Sequence, residues 1–218
     1  MAGTAPPPPD ASGKARRRYA PRLPPEQRRE QLLDAALSVI LEQGYSGVSI
    51  EAVARLAGVT RPVVYDHFAN LGLLLYALIE REERYALDQL REVVPAEPDE
   101  REPVDVLPES FRRFLDAVAT RPATWRLILL PPDGTPSLVR EHVETNRQRI
   151  LEQILALVQW AQRRPELPNE LDPEMTARAI RALAEEAGRM VLIDPEIYSP
   201  ARYERFVAQV TRLIWPAA

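Results

Sequence analysis

Apolar residues recur three or four positions apart along most of the chain, which is the spacing of one helix face. The first such stretch lies between Pro25 and Gly44, where Pro25 suits the start of a helix and Gly44 suits its end. Its apolar positions are Leu33, Leu37, Ile40 and Leu41. The pattern therefore predicts a first helix over these residues.

Two short helices are predicted directly after the first one. Ser49 suits the N-cap of a second helix of about two turns, because its hydroxyl accepts from backbone N–H groups that have no partner there. Gly58 suits the left-handed residue that ends this helix. Thr60 suits the cap of a third helix that runs to Phe68, and Pro62 falls in its first turn, where a missing N–H costs nothing. A glycine turn thus joins the two helices.

The rest of the chain also has helical periodicity, and no segment alternates as a strand does. One start signal, a capping residue followed by proline, occurs twice, at Asp172 with Pro173 and at Ser199 with Pro200. The predicted helices cover about 25–44, 50–57, 60–68, 71–94, 104–120, 122–130, 137–164, 172–193 and 199–215. We therefore predict an all-α fold of about nine helices.

The third helix has two chemically different sides. Steps of about 100° per residue place Val64 and Phe68 on one side, which suits a core. The opposite side carries Arg61, Pro62, Tyr65 and Asp66. Two short helices with a tight glycine turn, the second presenting a polar and aromatic side, are typical of a helix-turn-helix unit whose second helix enters the DNA major groove.

Composition and charge divide the chain into three parts. Residues 1–22 are rich in proline, end in the basic cluster KARRRYAPR and hold too few apolar residues to fold, so we predict a disordered basic arm. Residues 23–70 are predicted as the helix-turn-helix domain and residues 71–218 as a second helical domain. Residues 1–70 carry a net charge of +2 although the whole chain carries −4. The arm suits DNA contact through Arg16, Arg17 and Arg18, and the alternative is a solubilising tail.

Several classes of function receive no support from the residue types. The chain has no cysteine and only two histidines, which argues against disulfides, thiolate chemistry and a transition-metal site. No apolar run reaches the roughly 18 residues of a membrane span, and prolines fill the place of a signal-peptide core. We expect a cytoplasmic protein with no membrane partner, no cofactor, no metal and no enzymatic activity.

The stretch from about residue 28 to residue 76 resembles the DNA-binding domain of the tetracycline-repressor (TetR) family of bacterial regulators. The resemblance lies in LLDAALSVILEQGYSGVSIEAVARLAGVTRPVVYDHF, with its AGV turn and the VYDHF end of the recognition helix. Apolar spacing, glycines, turn and aromatic positions agree in order. The later helices match the family only in number and arrangement.

The resemblance implies two sets of DNA contacts. Base edges would be met by Arg61, Pro62, Val63 and Asp66. Phosphates would be met by Ser49, Thr60, Tyr65 and His67. An arginine fork matches guanine O6 and N7, and an apolar side chain suits a thymine methyl. A carboxylate such as that of Asp66 is repelled by phosphates unless it accepts from cytosine or pairs with Arg61.

One departure from the family pattern concerns the start of the fourth helix. Many members have a lysine there that meets a phosphate, whereas this chain has Leu71. Asn70, or the free N–H groups of that helix, would replace the contact. The arginine arm would add phosphate or minor-groove contacts.

The resemblance also implies a C-terminal domain that binds a small molecule and forms a homodimer. Candidate pocket residues are Phe111, Phe114, Trp125, Arg126, His142, Asn146 and Arg189. Asn146 lies on an apolar stripe, so it either donates to a neighbouring helix or contacts a ligand. The stripes of the last two helices predict a dimer interface with Leu183, Ala187, Met190, Phe206, Val210 and Ile214.

We therefore expect a ligand-responsive transcriptional regulator, in the repressing sense, that binds double-stranded DNA at a near-palindromic operator as a dimer. Its effector would be a small molecule of unknown identity. Two alternatives remain at this point. One is a DNA-binding regulator without an effector, whose C-terminal domain serves dimerisation or a protein contact. The other is an all-α enzyme that has reused a helix-turn-helix.

Overall fold

The computed structural model describes residues 23–93, 102–131, 135–163 and 171–214. Within these ranges the protein consists of nine α-helices and a short 3-10 turn at Tyr45–Gly47, with no strand. The helices are α1 Pro25–Gln43, α2 Ile50–Leu56, α3 Arg61–Tyr65, α4 Leu71–Val93, α5 Pro103–Thr120, α6 Pro122–Leu129, α7 Ser137–Gln162, α8 Pro173–Ile193 and α9 Pro200–Ile214. The prediction of an all-α fold is confirmed. The predicted arm, with Arg16, Arg17 and Arg18, lies outside the described residues.

Side-chain caps fix the starts of α2 and α8, as the sequence predicts. Ser49 accepts a hydrogen bond from the N–H of Ala52 at 3.0 Å, and Asp172 accepts from that of Met175 at 3.0 Å. The third helix is shorter than predicted and ends at Tyr65. The N–H of His67 bonds to the carbonyl of Val64, an i to i−3 contact that tightens the chain into a turn.

The first hydrophobic core joins the N-terminal helices to the rest of the protein. It contains fully buried residues of α1, α2 and α3 together with one side of the first half of α4. Leu127 of α6 and Val139 of α7 belong to the same core. The helix-turn-helix unit is therefore packed onto three helices of the following domain.

The second core lies between α4, α5, α6, α8 and α9. Its members include Leu115, Trp125, Ala187 and Val207. The second half of α4 enters this core through residues such as Leu90, whereas its first half belongs to the first core. A small third core pairs α7 with α8. One continuous helix, α4, thus connects the two large cores.

Gly58 holds the turn between α2 and α3 in a backbone conformation that other residues avoid. Its φ is 67°, in the left-handed region, and its N–H bonds to the carbonyl of Arg55 at 3.2 Å. A Cβ built at this position meets no atom within 4 Å. Only the backbone conformation therefore restricts the residue type here.

Replacing Gly58 with alanine should lower the free energy of unfolding by about 1–2 kcal/mol, the cost of a left-handed conformation for a residue with a Cβ. Gly58→Asn should cost less, because asparagine adopts this conformation more readily. Urea unfolding at one fixed protein concentration measures both values. Equal losses in the two variants would contradict the backbone explanation.

Candidate DNA-binding surface and apolar cavity

Hydrogen bonds fix the two short helices relative to α1. The side-chain amide of Gln31 donates to the carbonyl of Ala57 at 3.0 Å, which satisfies a carbonyl at the end of α2. The N–H of Val59 bonds to the carbonyl of Ala54 at 2.9 Å and closes the turn. These contacts hold the start of α3 in one place.

Helix α3 has one buried side and one open side, as its sequence predicts. Val64 is completely buried, and Phe68 is 4% exposed with the Arg29 guanidinium 5.0 Å from its ring centre. Tyr65 is 47% exposed. Of the residues predicted to meet base edges, Arg61, Pro62 and Asp66 are exposed. Val63 is half-buried. The open side of α3 is therefore available to a partner.

The residues predicted to meet phosphates flank this side of α3. Ser49 and Thr60 are exposed, and His67 is half-buried. The Thr60 side chain makes no cap hydrogen bond, unlike the prediction. Pro62 has no N–H to offer, and the N–H of Val63 bonds to the backbone carbonyl of Thr60 at 3.0 Å. The hydroxyl of Thr60 is therefore free for another acceptor.

Asn70 caps α4 and still keeps its donors. Its side-chain oxygen accepts from the N–H of Leu73 at 2.9 Å. Asn70 is exposed at the start of this helix, and its amide NH₂ has two further donors. Asp66 and Arg61 form no ion pair with each other or with any other residue of the described ranges. None of the five donors of the Arg61 guanidinium is used by the residues that the structure describes.

A largely apolar cavity lies between α4, α5, α6, α7 and α8. Its empty volume is about 810 Å³, the mouth included. Aromatic side chains of α5 and α6 line one wall, and aliphatic side chains of α4, α7 and α8 line the others. The lining residues are Leu90, Val93, Leu107, Ser110, Phe111, Phe114, Trp125, Ile128, Leu129, Arg147, Ile150, Ile154, Leu157, Ile180, Arg181, Ala184 and Glu185.

Three charged residues interrupt this apolar lining. Arg181 Nη1 lies 2.7 Å from Glu185 Oε1, one turn further along α8. Arg147 Nε, from α7, lies 3.6 Å from the same oxygen. Sequence reasoning missed these residues. The available signal was the Arg181–Glu185 spacing of four residues, which allows an ion pair on one side of a helix.

Three of the seven predicted pocket residues line the cavity, namely Phe111, Phe114 and Trp125. Phe114 and Trp125 meet edge to face with ring centres 5.2 Å apart. The indole N–H of Trp125 donates to Gln89 Oε1 at 3.2 Å. These aromatic side chains give the cavity a rigid wall.

The other four predicted pocket residues do not line this cavity and make other contacts. Arg126 donates to the carbonyl of Leu192 at 2.8 Å, and Arg189 pairs with Glu186 at 2.9 Å. The remaining two belong to a polar group between α4 and α7, in which Glu83 and Asn146 are buried. This group consists of Glu83, His142, Asn146 and Arg149.

The α4–α7 group accounts for the buried Asn146. Asn146 is buried in this group, and its side-chain oxygen accepts from Arg149 Nη1 at 3.2 Å. His142 Nε2 lies 2.5 Å from Glu83 Oε2. Burial raises the pKa of Glu83, while Asn146, His142 and Arg149 oppose that shift.

A second polar group, buried at Arg81, Glu82 and Thr124, connects the helix-turn-helix unit to α6. Arg81 of α4 reaches Glu30 Oε2 at 2.9 Å and Asp34 Oδ1 at 2.8 Å, both on α1. The same guanidinium lies 2.7 Å from Glu82 Oε1. The hydroxyl of Thr124, at α6, donates to Glu82 Oε2 at 2.5 Å. We call these five residues the interdomain polar cluster.

Exposed apolar residues gather on α8 and α9. Leu183 and Phe206 are exposed, and Met190 and Val210 are half-buried, as a predicted interface requires. Ala187 is completely buried inside the subunit's own second core, so its predicted place in the interface is corrected. Ile214 ends α9, and its side chain lies outside the described residues. Leu213, which the prediction omitted, is 84% exposed.

The described residues contain no group of three or more metal-ligating side chains. Among the helices that the structure describes, none combines the length and the apolar content of a membrane span.

The protein is thus an all-helical chain with a helix-turn-helix unit at one end and an apolar cavity in the helices behind it. The sequence profile of "Bacterial regulatory proteins, tetR family" matches residues 32–74. That of "Tetracyclin repressor-like, C-terminal domain" matches residues 103–216, which is more than half of the chain. The protein belongs to the TetR family.

Two curated relatives differ in how much of their length is matched. The HTH-type transcriptional activator FasR of Mycolicibacterium smegmatis is 33% identical over 95 residues, 44% of this chain and 43% of FasR. The HTH-type transcriptional repressor BepR of Brucella suis is 28% identical over 160 residues, 71% of this chain and 76% of BepR. The match therefore spans less than half of FasR and about three quarters of BepR.

Solved structures share the fold at low sequence identity. A TetR-like transcriptional regulator from Rhodococcus sp. RHA1 has a TM-score of 0.72 at 21% identity, over 90% of this chain and 100% of that one. FadR from Bacillus subtilis in complex with stearoyl-CoA has a TM-score of 0.65 at 17% identity, over 84% and 96%. The SmeT–triclosan complex has a TM-score of 0.66 at 22% identity, over 86% and 90%.

Proposed function

We propose that the protein is a DNA-binding transcriptional regulator that acts as a homodimer and responds to a small molecule. The observation that carries this proposal is the open side of α3, where Arg61, Pro62 and Tyr65 stand exposed on a helix anchored by buried Val64 and Phe68. A short anchored helix with an arginine at its first position suits the major groove.

The proposed DNA contacts follow from donor chemistry and position. Arg61, with its fork unpaired within the described part of the chain, would read guanine O6 and N7, while Pro62 and Val63 would lie against thymine methyl groups. Asp66 would accept from cytosine N4 or exclude other bases. Ser49, Thr60, Tyr65, His67 and Asn70 would donate to phosphates and fix the helix in the groove.

The proposed dimer joins the exposed residues of α8 and α9 to their copies across a two-fold axis. Leu183, Met190, Phe206 and Val210 would be covered, with Leu213 beside them. Such an exposed apolar surface is typical of an interface. A two-fold dimer presents two recognition helices to half-sites about 34–36 Å apart, or a multiple of that, so the operator would be near-palindromic.

The cavity supports the proposal of a small-molecule effector. Apolar walls with a few polar groups are typical of ligand sites between helices. FadR in complex with stearoyl-CoA and SmeT with triclosan share this fold and hold ligands. We propose that a ligand in the corresponding cavity of this protein favours a conformation whose recognition helices no longer match the half-site spacing. The protein would then be a repressor that its ligand releases.

The interdomain polar cluster is the proposed route of this coupling. Trp125 lines the cavity, and the preceding Thr124 bonds to Glu82. Glu82 in turn pairs with Arg81, which forms salt bridges with Glu30 and Asp34 of α1. A shift of α6 on ligand binding would therefore change the contacts of α4 with the helix-turn-helix unit.

The coupling predicts reciprocity between ligand and operator. Compounds that stabilise the protein in a thermal-shift screen should weaken operator binding, and operator DNA should weaken their binding by the same factor, about 5–150-fold. Thr124→Val should reduce this factor, because it removes the bond between α6 and Glu82. Thr120→Val, which removes only a hydroxyl bonded to the carbonyl of Asp116 within α5, is the matched control. Independent binding of ligand and operator would contradict a ligand-responsive regulator and favour one without an effector.

The basic arm, residues 1–22, should increase the affinity for DNA of any sequence. If Arg16, Arg17 and Arg18 neutralise phosphates in both subunits, removing residues 1–22 should reduce the slope of log affinity against log salt by up to about 5. Removal of residues 1–13 alone, which carry no basic side chain, should leave the slope unchanged. Fluorescence anisotropy at several salt concentrations measures both slopes. An unchanged slope after the longer deletion would make the arm a solubilising tail.

A further inference from the structure

The charged corner of the cavity points to the chemical class of the ligand. Two arginines and one glutamate are the ionisable residues of the lining, so the described wall carries a net charge of +1 in an otherwise apolar space. An uncompensated cation in such a space favours an anionic group that enters from outside. Such a group would need hydrogen-bond donors of Arg181 and Arg147 that the protein does not already use.

Arg181 has a donor that the protein itself does not use. Its Nη1 is paired with Glu185 at 2.7 Å, but its Nε is buried and has no hydrogen-bond partner among the described residues. A buried donor of a charged group is costly to leave unpaired. The guanidinium fork also suits two parallel bonds to a carboxylate, of which Nε would donate one.

Arg147 faces the same corner from α7 with contacts that are all long. Its nitrogens lie 3.6 Å from Glu185 Oε1, 3.6 Å from Glu144 Oε2 and 3.5 Å from the carbonyl of Ile128. None of these is a short charge-assisted bond of about 2.7–2.9 Å. Arg147 therefore retains capacity for a stronger acceptor.

Glu185 stands where an external anion would bind. Its Oε1 is shared between Arg181 and Arg147, while its Oε2 lies 3.9 Å from Arg189 Nη1, one turn further along α8. Arg189 does not line the cavity. A small rotation of the Glu185 side chain would bring it closer to Arg189 and free the two lining arginines without leaving the glutamate unpaired.

We propose that the cavity binds an amphipathic carboxylate, with its apolar chain between α5, α6 and α7 and its carboxylate on Arg181 and Arg147 in place of Glu185. Glu185 is then an internal counter-ion that keeps the arginines paired while the cavity is empty of ligand. This inference rests on the small-molecule response proposed above. It adds the class of ligand and the residues that select it.

Decanoate and decanol test the inference, since the two probes share an apolar chain and differ in the charged group. Isothermal titration at neutral pH should give decanoate an affinity at least about tenfold above that of decanol. Arg181→Met should remove most of this preference. Arg181→Lys keeps the charge but lacks the fork, so it should retain only part of the preference and guards against a folding defect in the methionine variant. Glu185→Gln should strengthen decanoate binding and leave decanol unchanged.

Arg178→Met is the matched control. Arg178 lies on the same helix, pairs with Glu174 at the surface and does not line the cavity, so the decanoate preference should persist. Thermal unfolding of each variant checks that the fold is intact. Equal affinities of the two probes for the unaltered protein, no binding of either, or a preference that survives both Arg181 variants would overturn the inference. Operator binding measured separately distinguishes this failure from failure of the proposed function, since a protein that binds its operator without preferring decanoate remains a regulator.

Discussion

Replacing Arg81 with methionine should lower the free energy of unfolding by about 3–5 kcal/mol, because it leaves a buried carboxylate without its cation. Arg81 is 5% exposed and Glu82 is 2% exposed. The guanidinium also holds Glu30 and Asp34 of α1, so the helix-turn-helix unit loses an attachment at the same time. Urea unfolding at a fixed protein concentration measures the loss, since a dimer's apparent stability depends on concentration.

Two further variants show whether the unpaired buried charge causes the loss of stability in Arg81→Met. Arg91→Ala removes an arginine from the same helix, but its pair with Asp88 is exposed, so the loss should stay below about 1 kcal/mol. Arg81→Met combined with Glu82→Gln removes both charges and should recover much of the stability. A small loss in Arg81→Met, or no recovery in the double variant, would contradict the role assigned to this pair.

Arg61→Ala should weaken binding of the preferred operator by about 2–6 kcal/mol, which is about 1–3 kcal/mol for each of two half-sites. The reason is that Arg61 is exposed at the first position of α3, where it forms no ion pair with the described residues. Preference at one base pair of each half-site should be lost together with affinity. Fluorescence anisotropy on the preferred operator and on variants changed at single base pairs measures both effects.

Arg91→Ala serves as the control for the loss of one positive charge. Arg91 lies near the far end of α4, about 30 Å along the helix from its start beside α3, so operator affinity should be unaffected. An equal loss on all DNA sequences in Arg61→Ala would make Arg61 a phosphate contact and contradict its role in base recognition.

Features that depend on neighbouring residues could be predicted from the sequence. Ser49 and Asp172 cap the helices as expected, and Gly58 has the expected left-handed conformation. The burial of Val64 and Phe68 follows from helical phase alone. The third helix ends earlier than predicted because its last turn tightens, which periodicity does not reveal.

Features that depend on how helices pack could be predicted only in part. Trp125 and Arg126 are adjacent and point about 100° apart, so only one of them faces the cavity, and the sequence does not say which. Ala187 shares the stripe of Leu183 but faces its own subunit. Which residues of this stripe are buried and which are exposed depends on how α6 packs against α8.

The interdomain polar cluster and the charged residues of the cavity could not be predicted, because they also depend on how helices pack. Arg81 and Glu82 stand in the run EREER, which indicates a solvated helix face until α1 and α6 are placed around it. Arg147 reaches Glu185 from another helix, so no spacing in the sequence connects them. Aromatic residues predicted the wall of the cavity, whereas the approach of Arg147 to Glu185 emerged only from the fold.

Selection of the purified protein on random duplex DNA tests whether it is a dimeric, sequence-specific regulator. We expect enrichment of a near-palindrome whose half-sites are separated by about 34–36 Å along the duplex or a multiple of that. We also expect that affinity for the enriched sequence falls steeply as salt increases. Failure to enrich any sequence, or enrichment of a single asymmetric half-site, would contradict a dimeric, sequence-specific regulator.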